Sequence, residues 1–459
     1  MPNLALYSEY VPAHHPMSGP VLKNQLYYEI GGAGVFRDFG TPDRWSTLPV
    51  EVDVQTFSGR ANGVWRDQSQ LRALELGLGR GDYVLNFLER LLQIDPRTYK
   101  KTTFYVGDKS AKMLQDFKQQ PLYSRHAAKI IAQQFDASEK LPFENEFFVF
   151  AHLGELLDDL PTQVIICRGG QVRELYTRPV LTWDRGLFHA PDGRRHTYQK
   201  IARLISGGDY TALAGLGMEL LPHIRWRSRY KHIDLKEHRY EAVKNTIEAI
   251  QESVSTEFNP ILKNTVTPFK FQVDLGAYRC IDELLRVLSP EALALGVDYG
   301  DNSLARPVWA GDFYYWSGQP TVRLNLPMLS IFLVSREADF RILPQYQYLS
   351  EKTSQEIIPV VSFFKDPLLS PWDFRGLSQR DVKLFGLIIV LLNLSGFRSD
   401  YFYWFDREQL NSPQYTSFWF LLGRAGIFME DFNRFLEYLK NQEHWHVVEI
   451  TKKMTRSFT

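Results

Sequence analysis

The clearest pattern of apolar and polar positions lies in the first third of the chain. Within the predicted strand Leu71–Leu76, a short apolar run (Ala73, Leu74, Leu76) carries an acid at Glu75 and meets three glycines at Gly77, Gly79 and Gly81. Tyr83–Ile94 follows with Val84, Leu85, Leu88, Leu91 and Leu92 at helical spacing. The reading is strand, tight glycine turn, helix. The same alternation continues. Thr103–Val106, Phe147–Ala151 and Val164–Cys167 read as strands, with Gln171–Tyr176 extended after a Gly-Gly turn. Ala111–Lys118 and Tyr123–Ile131 read as helices. Continuous apolar strands suit a parallel sheet covered on both faces, and repeated βα units predict a doubly wound α/β fold.

Further along, Tyr240–Ser253 and Leu275–Leu288 have helical periodicity, and Ala292–Gly300 reads as a buried strand ending in an acid and a glycine. Val322–Leu326 and Ser330–Val334 read as antiparallel strands. Leu377–Asn393, Ser417–Arg424 and Met429–Asn441 read as aromatic-rich helices. Residues 1–35, rich in Pro, Tyr, His and Gly, read as an irregular arm. The expected organisation is an N-terminal arm (1–70), a nucleotide-type Rossmann-like domain (71–184), a helical basic insert (185–270), the remainder of the core (271–350) and a C-terminal helical region (351–459).

Composition narrows the chemistry. The chain has 459 residues, 53 acidic against 53 basic side chains, and 14% aromatics. No global positive field points to nucleic acid. Two separated cysteines, Cys167 and Cys280, fit a reducing compartment and argue against a disulfide framework or a Cys-based zinc site. No metal is expected. The start of the chain lacks the basic and apolar regions of a signal peptide, and the most apolar stretch, Leu384–Leu392, is about half a membrane span. No membrane association and a cytoplasmic location are expected. The basic residues Arg225, Arg227, Arg229, Lys231 and Arg239 are expected on a mostly helical stretch.

The glycine turn has the form E-x-G-x-G-x-G. Asp82 occupies the place where the pyrophosphate fingerprint needs its third glycine. Glu75 is expected to face the ligand, and a second acid, Asp108, ends the next strand. Two acids around a glycine bend suit a ligand with positive charge and ribose hydroxyls better than a diphosphate. S-adenosyl-L-methionine (SAM) carries a sulfonium, an ammonium and a ribose. A nicotinamide or flavin site and a purely structural turn stay open on these residues alone. After Phe147–Ala151 comes a second acidic segment, in which Glu155 and Asp158, three apart, share a face if the turn is helical.

The order of these motifs resembles the MidA-type SAM-dependent methyltransferases, whose members include a mitochondrial complex I assembly factor that methylates a protein arginine. Asp38–Asp43 resembles the family's G-D-F-x-T-x-x-E segment, Leu74–Gly81 its glycine loop, and Tyr105–Ser110 its Tyr-x-x-Glu-x-Ser. Gly154–Pro161 resembles its Asn-Glu-x-x-Asp-Ala-Leu-Pro, and Val297–Gly300 its Ile-Asp-Tyr-Gly. The match spans roughly residues 20–350. Departures are Arg37 for the family's Gly, Asp108 for Glu, Gly154 for Asn and Asp159 for Ala.

The resemblance implies a class I methyltransferase sheet with a helical insert and an extra C-terminal helical region. It implies that Glu75, Gly77, Gly79 and Gly81 hold the methionine part of SAM, that Asp108 takes the ribose, that Phe135 and Asp136 flank the adenine, and that Asp38 and Thr41 close the cofactor side. Glu155 and Asp158 then orient a nucleophilic nitrogen, and a carboxylate pair suits the fork of a guanidinium. A protein substrate or partner is expected, and a homodimer is left open. The alternatives are a catalytically degenerate scaffold, motivated by Gly154, and a small-molecule methyltransferase. An oxidoreductase ranks below these because of Asp82.

Overall fold

The central sheet of the computed structural model has seven strands in one row, and a short eighth, Leu324–Asn325, that pairs parallel with the fifth of them in chain order. The seven are β1 (Leu71–Leu76), β2 (Thr102–Asp108), β3 (Ile130–Gln134), β4 (Phe148–Gly154), β5 (Leu288–Asp301), β6 (Asp339–Pro344) and β7 (Trp445–Thr451). Their spatial order is 3-2-1-4-5-7-6. The neighbours from β3 to β5 pair parallel, and β7 runs antiparallel to both β5 and β6. Strand order reverses between β1 and β4, so ligands are expected beyond the carboxyl ends there. The structure describes residues 3–36, 48–168, 171–183, 186–254, 268–302, 304–307, 312–316, 319–359, 378–395, 404–406, 413, 416–441 and 445–452.

Both faces of the sheet are covered, which is why its strands read as near-continuous apolar runs. In β5, Leu293, Leu295 and Val297 face a layer built from α2 (Leu48–Asn62) and α3 (Asp82–Ile94). Ala292 and Ala294 face the opposite layer, formed by α5 (Leu275–Val287) and α6 (Leu326–Ser335). Phe57, Phe87, Phe104 and Phe150 interlock edge-on in the first layer. Each such fully buried side chain stabilises the fold by roughly 1.5–3 kcal/mol.

Four expectations change. Residues 1–35 are not an irregular arm, because Gly19–Gly31 forms a helix, α1, capped by the Ser18 hydroxyl and packed by Leu22, Leu26 and Tyr27. Gln163–Arg168 and Gln171–Thr182 leave the parallel sheet and build a second, antiparallel one. It also holds Asn3–Ala5, Val11–Pro12, Ile224–His232, Phe269–Val273 and Arg306–Pro307. The basic stretch Arg225–Lys231 therefore lies on a strand and not on a helix. Residues 326–335 are helical, because Asn325 caps the turn and Pro327 sits in its first turn.

The C-terminal region does hold helices, Gln379–Leu394, Thr416–Arg424 and Met429–Asn441, with their own aromatic core. The strand after them, β7, returns to the central sheet, so the region is not helical to its end. Among the described residues no helix is long and apolar enough to cross a membrane.

Val448 on β7 is buried between β5 and β6. Val448→Asp places an unpaired charge there. We expect a loss of about 3 kcal/mol or more, read as a lower urea midpoint at unchanged slope.

Candidate functional site

Gly77, Gly79 and Gly81 all have positive φ, at 71°, 54° and 80°. The bend turns the chain from the end of β1 into α3. The Gly77 N–H donates to the Gly107 carbonyl (3.1 Å) and the Gly81 N–H to the Leu78 carbonyl (2.8 Å). At Gly81 a Cβ would stand 2.2 Å from the Phe117 ring of α4 (Ala111–Lys118), so only glycine fits. Asp82 opens α3 and pairs with Arg80 at 3.1 Å.

Asp108 ends β2 beside this bend. Its carboxylate accepts the Ser110 N–H at 2.8 Å, and the backbone N–H of Leu78 in the glycine loop also bonds to it. Burial pushes its pKa up to about 7, with the Glu29 and Asp136 carboxylates adding repulsion. Phe135, after β3, donates its N–H to the Asp108 carbonyl (3.2 Å) and lays its ring on Gly107, where a Cβ would meet it at 1.9 Å. Asp136 accepts from the Ser138 N–H and Oγ (2.9 and 2.7 Å) and from Lys109 Nζ (2.7 Å). Burial raises its pKa, but Lys109 and Ser138 outweigh it and hold the carboxyl below its ordinary value. The structure thus gathers Asp108, Phe135 and Asp136 around the glycines. Asp38 and Thr41 lie outside the described residues.

Glu75, at the end of β1, has a partner that the sequence did not reveal. It is the cross-strand partner of His152 on β4, and its two oxygens lie 3.1 and 3.0 Å from His152 Nδ1. Both side chains are buried. The His152 ring stacks on Tyr83 at 3.4 Å. Tyr83 in turn donates to Asp53 Oδ2 (3.0 Å), and Tyr348 donates to Asp53 Oδ1 (3.3 Å). Burial pushes Asp53 up to about 6, against the pull of His152 and the two tyrosines. Glu75 thus belongs to a buried polar network with His152, Tyr83, Asp53 and Tyr348.

The second acidic segment follows β4. Glu155 is half-buried, has φ 51°, and donates its N–H to the Val297 carbonyl at 2.8 Å. Helical backbone begins only at Leu157, so Glu155 and Asp158 do not share a helical face. Asp158 turns inward. It accepts the Thr321 hydroxyl at 2.7 Å and hydrogen-bonds to the carboxyl of Asp298 on β5. Asp298 also accepts the N–H groups of Leu157 (2.6 Å), Asp158 (3.1 Å) and Tyr299 (2.8 Å). Burial, with the neighbouring carboxylates, raises Asp158 well above its ordinary range, and burial pushes Asp298 up to about 7. A bond between two carboxyls needs a proton on one of them, which also relieves the repulsion between two buried carboxylates.

Asp159 accepts from the Tyr28 hydroxyl and from Gln319 Nε2 (2.7 Å), while Asn24 donates to its carbonyl at 3.2 Å. Burial pushes it up to about 6. Sequence reasoning missed Asn24, Tyr28, Glu29, His152, Gln319 and Thr321 as parts of this region. Asp298 was visible as an acid ending a strand, but its role as acceptor for the acidic turn was not.

The residues fit SAM. Glu29, Asp108 and Asp136 crowd the bend closely enough for the first and last to raise the pKa of the second. The nearby cations, Arg80 and Lys109, are each paired to a carboxylate. Such a surround repels a diphosphate and is relieved by a cation with hydroxyl donors.

The family model described as "Putative S-adenosyl-L-methionine-dependent methyltransferase" matches residues 60–307. No curated protein sequence matches the chain. Among solved structures, an uncharacterised protein from Burkholderia thailandensis aligns at 12% identity and a TM-score of 0.45, covering 96% of this chain and 87% of its own. A Burkholderia thailandensis protein with bound S-adenosyl-homocysteine aligns at 10% identity and a TM-score of 0.42, covering 96% and 88%. Phosphoethanolamine N-methyltransferase 2 from Haemonchus contortus aligns at 10% identity and a TM-score of 0.35, covering 95% and 60%.

Asp53, Asp108, Asp159 and Asp298 all have folded-state pKa values of about 6 to 7, above the ordinary aspartate value of 3.8. The folded chain therefore holds protons that the unfolded chain releases. The associated stability is full below about pH 4 and is lost as pH rises through 6 to 7. We expect a lower melting temperature at pH 8 than at pH 5.5, and a flatter profile in Asp298→Asn. If Asp108 takes the two ribose hydroxyls, as the resemblance implies, it must be ionised to accept them. SAM affinity, measured by calorimetry, should rise about 10-fold from pH 6 to pH 8, and Asp108→Asn should abolish that rise.

Proposed function

The chain belongs to the family of SAM-dependent methyltransferases, and we propose that it is a MidA-type member that methylates a side-chain nitrogen of a protein, one with the charge of an arginine. When bound, SAM supplies a methyl group on positively charged sulfur. In this reading the backbone of the glycine bend and Asp108 hold the cofactor by its methionine and ribose parts, and Phe135 and Asp136 border its base.

One observation carries the acceptor assignment. Asp158, Asp159 and Asp298 gather at the carboxyl ends of β4 and β5, and two of them bond to each other. A guanidinium brings positive charge to a place that already lacks it, and its planar donors match paired carboxyl oxygens. In the Asp158–Asp298 pair, where burial pushes Asp298 up to about 7, the ionised carboxylate can accept the proton that such a nitrogen gives up as it becomes nucleophilic. Glu155, at the mouth of the turn, adds a further carboxylate for orientation.

A small-molecule acceptor is the second reading. Its motive is the roof over Asp159, where Tyr28 from α1 and Gln319 close on the carboxylate.

Incubating the protein with methyl-labelled SAM and a protein-rich extract, then separating macromolecules from small molecules, distinguishes the two. We expect label in protein and, after hydrolysis, in methylarginine. Label confined to the small-molecule fraction would overturn the protein reading. Asp158→Asn should lower kcat by about 100-fold or more while SAM affinity stays within about 2-fold.

A further inference from the structure

Glu29 lies in the last turn of α1, and its side chain is buried. That place is unfavourable for an acid on two counts. Burial strips water from the carboxylate, and the carbonyl end of a helix repels negative charge. Burial raises its pKa, against the Ser110 hydroxyl and the charge of Lys109. Lys109 is itself paired with Asp136 at 2.7 Å. A carboxyl held at such a cost is a candidate for binding chemistry.

The helix α4 fixes where Glu29 stands. The Ala33 N–H, just past the end of α1, donates to Asp116 Oδ2 at 3.0 Å. Gly32 has φ 52°, and a Cβ there would run into the same oxygen. Ser110, the N-cap of α4, then bonds in two directions. Its N–H donates to Asp108 Oδ1 at 2.8 Å. Its hydroxyl reaches the Tyr28 carbonyl at 3.5 Å and hydrogen-bonds to the Glu29 carboxyl. One serine thus links the acid at the end of β2 to the acid at the end of α1. The two are close enough for Glu29 to repel Asp108.

We propose that Glu29 is a further cofactor-binding residue, which joins Asp108 in accepting the vicinal hydroxyls of the ribose. This rests on the reading of the pocket as a SAM site. A vicinal diol offers two O–H donors, and Asp108 already spends acceptor capacity on the N–H groups of Ser110 and Leu78. Glu29 supplies a second acceptor beside it. Hydroxyls donated to ionised oxygens form charge-assisted bonds, and their hydrogens stand between two like charges and reduce the repulsion. The pair selects nucleosides with both hydroxyls free. A phosphate on either hydroxyl brings a further negative charge against two carboxylates. A deoxyribose leaves a buried carboxylate without its donor.

Calorimetry on the full chain, with S-adenosylhomocysteine and its 2′,3′-dideoxy analogue, tests the assignment. Glu29→Leu removes the acceptor, and Glu29→Gln keeps the shape without the charge; thermal denaturation checks that each variant folds. We expect the unaltered protein to prefer S-adenosylhomocysteine over the analogue by about 100-fold. In Glu29→Leu that preference should shrink by about 10-fold, with Glu29→Gln falling between. Because α1 also carries Tyr28 against Asp159, damage to the helix would weaken both ligands alike and leave their ratio unchanged. A preference unchanged within about 2-fold in both variants would therefore overturn the proposal; if Glu29→Leu does not fold, Glu29→Gln alone decides. Equal affinity of the unaltered protein for the two ligands would overturn it too. Binding of neither ligand by the unaltered protein would overturn the SAM reading together with the proposal, which sets that failure apart from the others.

Discussion

A parallel sheet buried on both faces has no room for polar chemistry along its length, so polar groups collect where the strands stop. The fold obeys this constraint at four adjacent strand ends. β1 ends in the glycine bend, β2 in Asp108 and β4 in the acidic turn, and β5 carries Asp298 three residues before its end at Asp301. Neighbouring parallel strands are about 5 Å apart, which brings residues 75–82, 108, 155–159 and 298 into one region although more than two hundred positions separate the first from the last. The carboxyls so gathered are partly stripped of water, and their mutual repulsion is answered by backbone N–H groups, hydroxyls and carboxyl protons. The site is acidic because of where the strands end.

Inside the sheet the exceptions are few and paired. Glu75 on β1 and His152 on β4 sit side by side, and the stacked Tyr83 leads to Asp53. An unpaired carboxylate at that depth would cost far more than a surface one. The pairing resolves the cost, while α1 and the strand pair 314–316 and 319–321 meet the acidic turn through Tyr28, Gln319 and Thr321.

Much of this was readable from the chain. Local patterns decide local structure, so the strand–glycine–helix unit at 71–94, the acid after β2 and the buried strand before Asp298 were legible in apolar runs and turn residues. What was not legible depends on partners far away in sequence. Gln163–Arg168 is as apolar as a parallel strand, and only its neighbours at 171–182 and 269–273 assign it to an antiparallel sheet. Glu75 looked available because nothing within its own segment reveals His152. The helix α1 escaped notice because its apolar positions are interspersed with polar ones that bury too, among them Lys23 and Glu29. The cations at 225–231 were plain in the sequence, but the same spacing of two that marks a strand was overridden by the helical look of the segments around it.

The place of β7 has a consequence for how the chain is made. This strand sits between β5 and β6, yet it is about 100 residues later than β6. At roughly 5–20 residues per second, a ribosome needs about 5 to 20 s to reach it. Until then the place between β5 and β6 has no strand to fill it, and β6 lacks its pairing partner. The helices at 379–441, which fold around a core of their own, are synthesised during the wait and stand ready to deliver the missing piece.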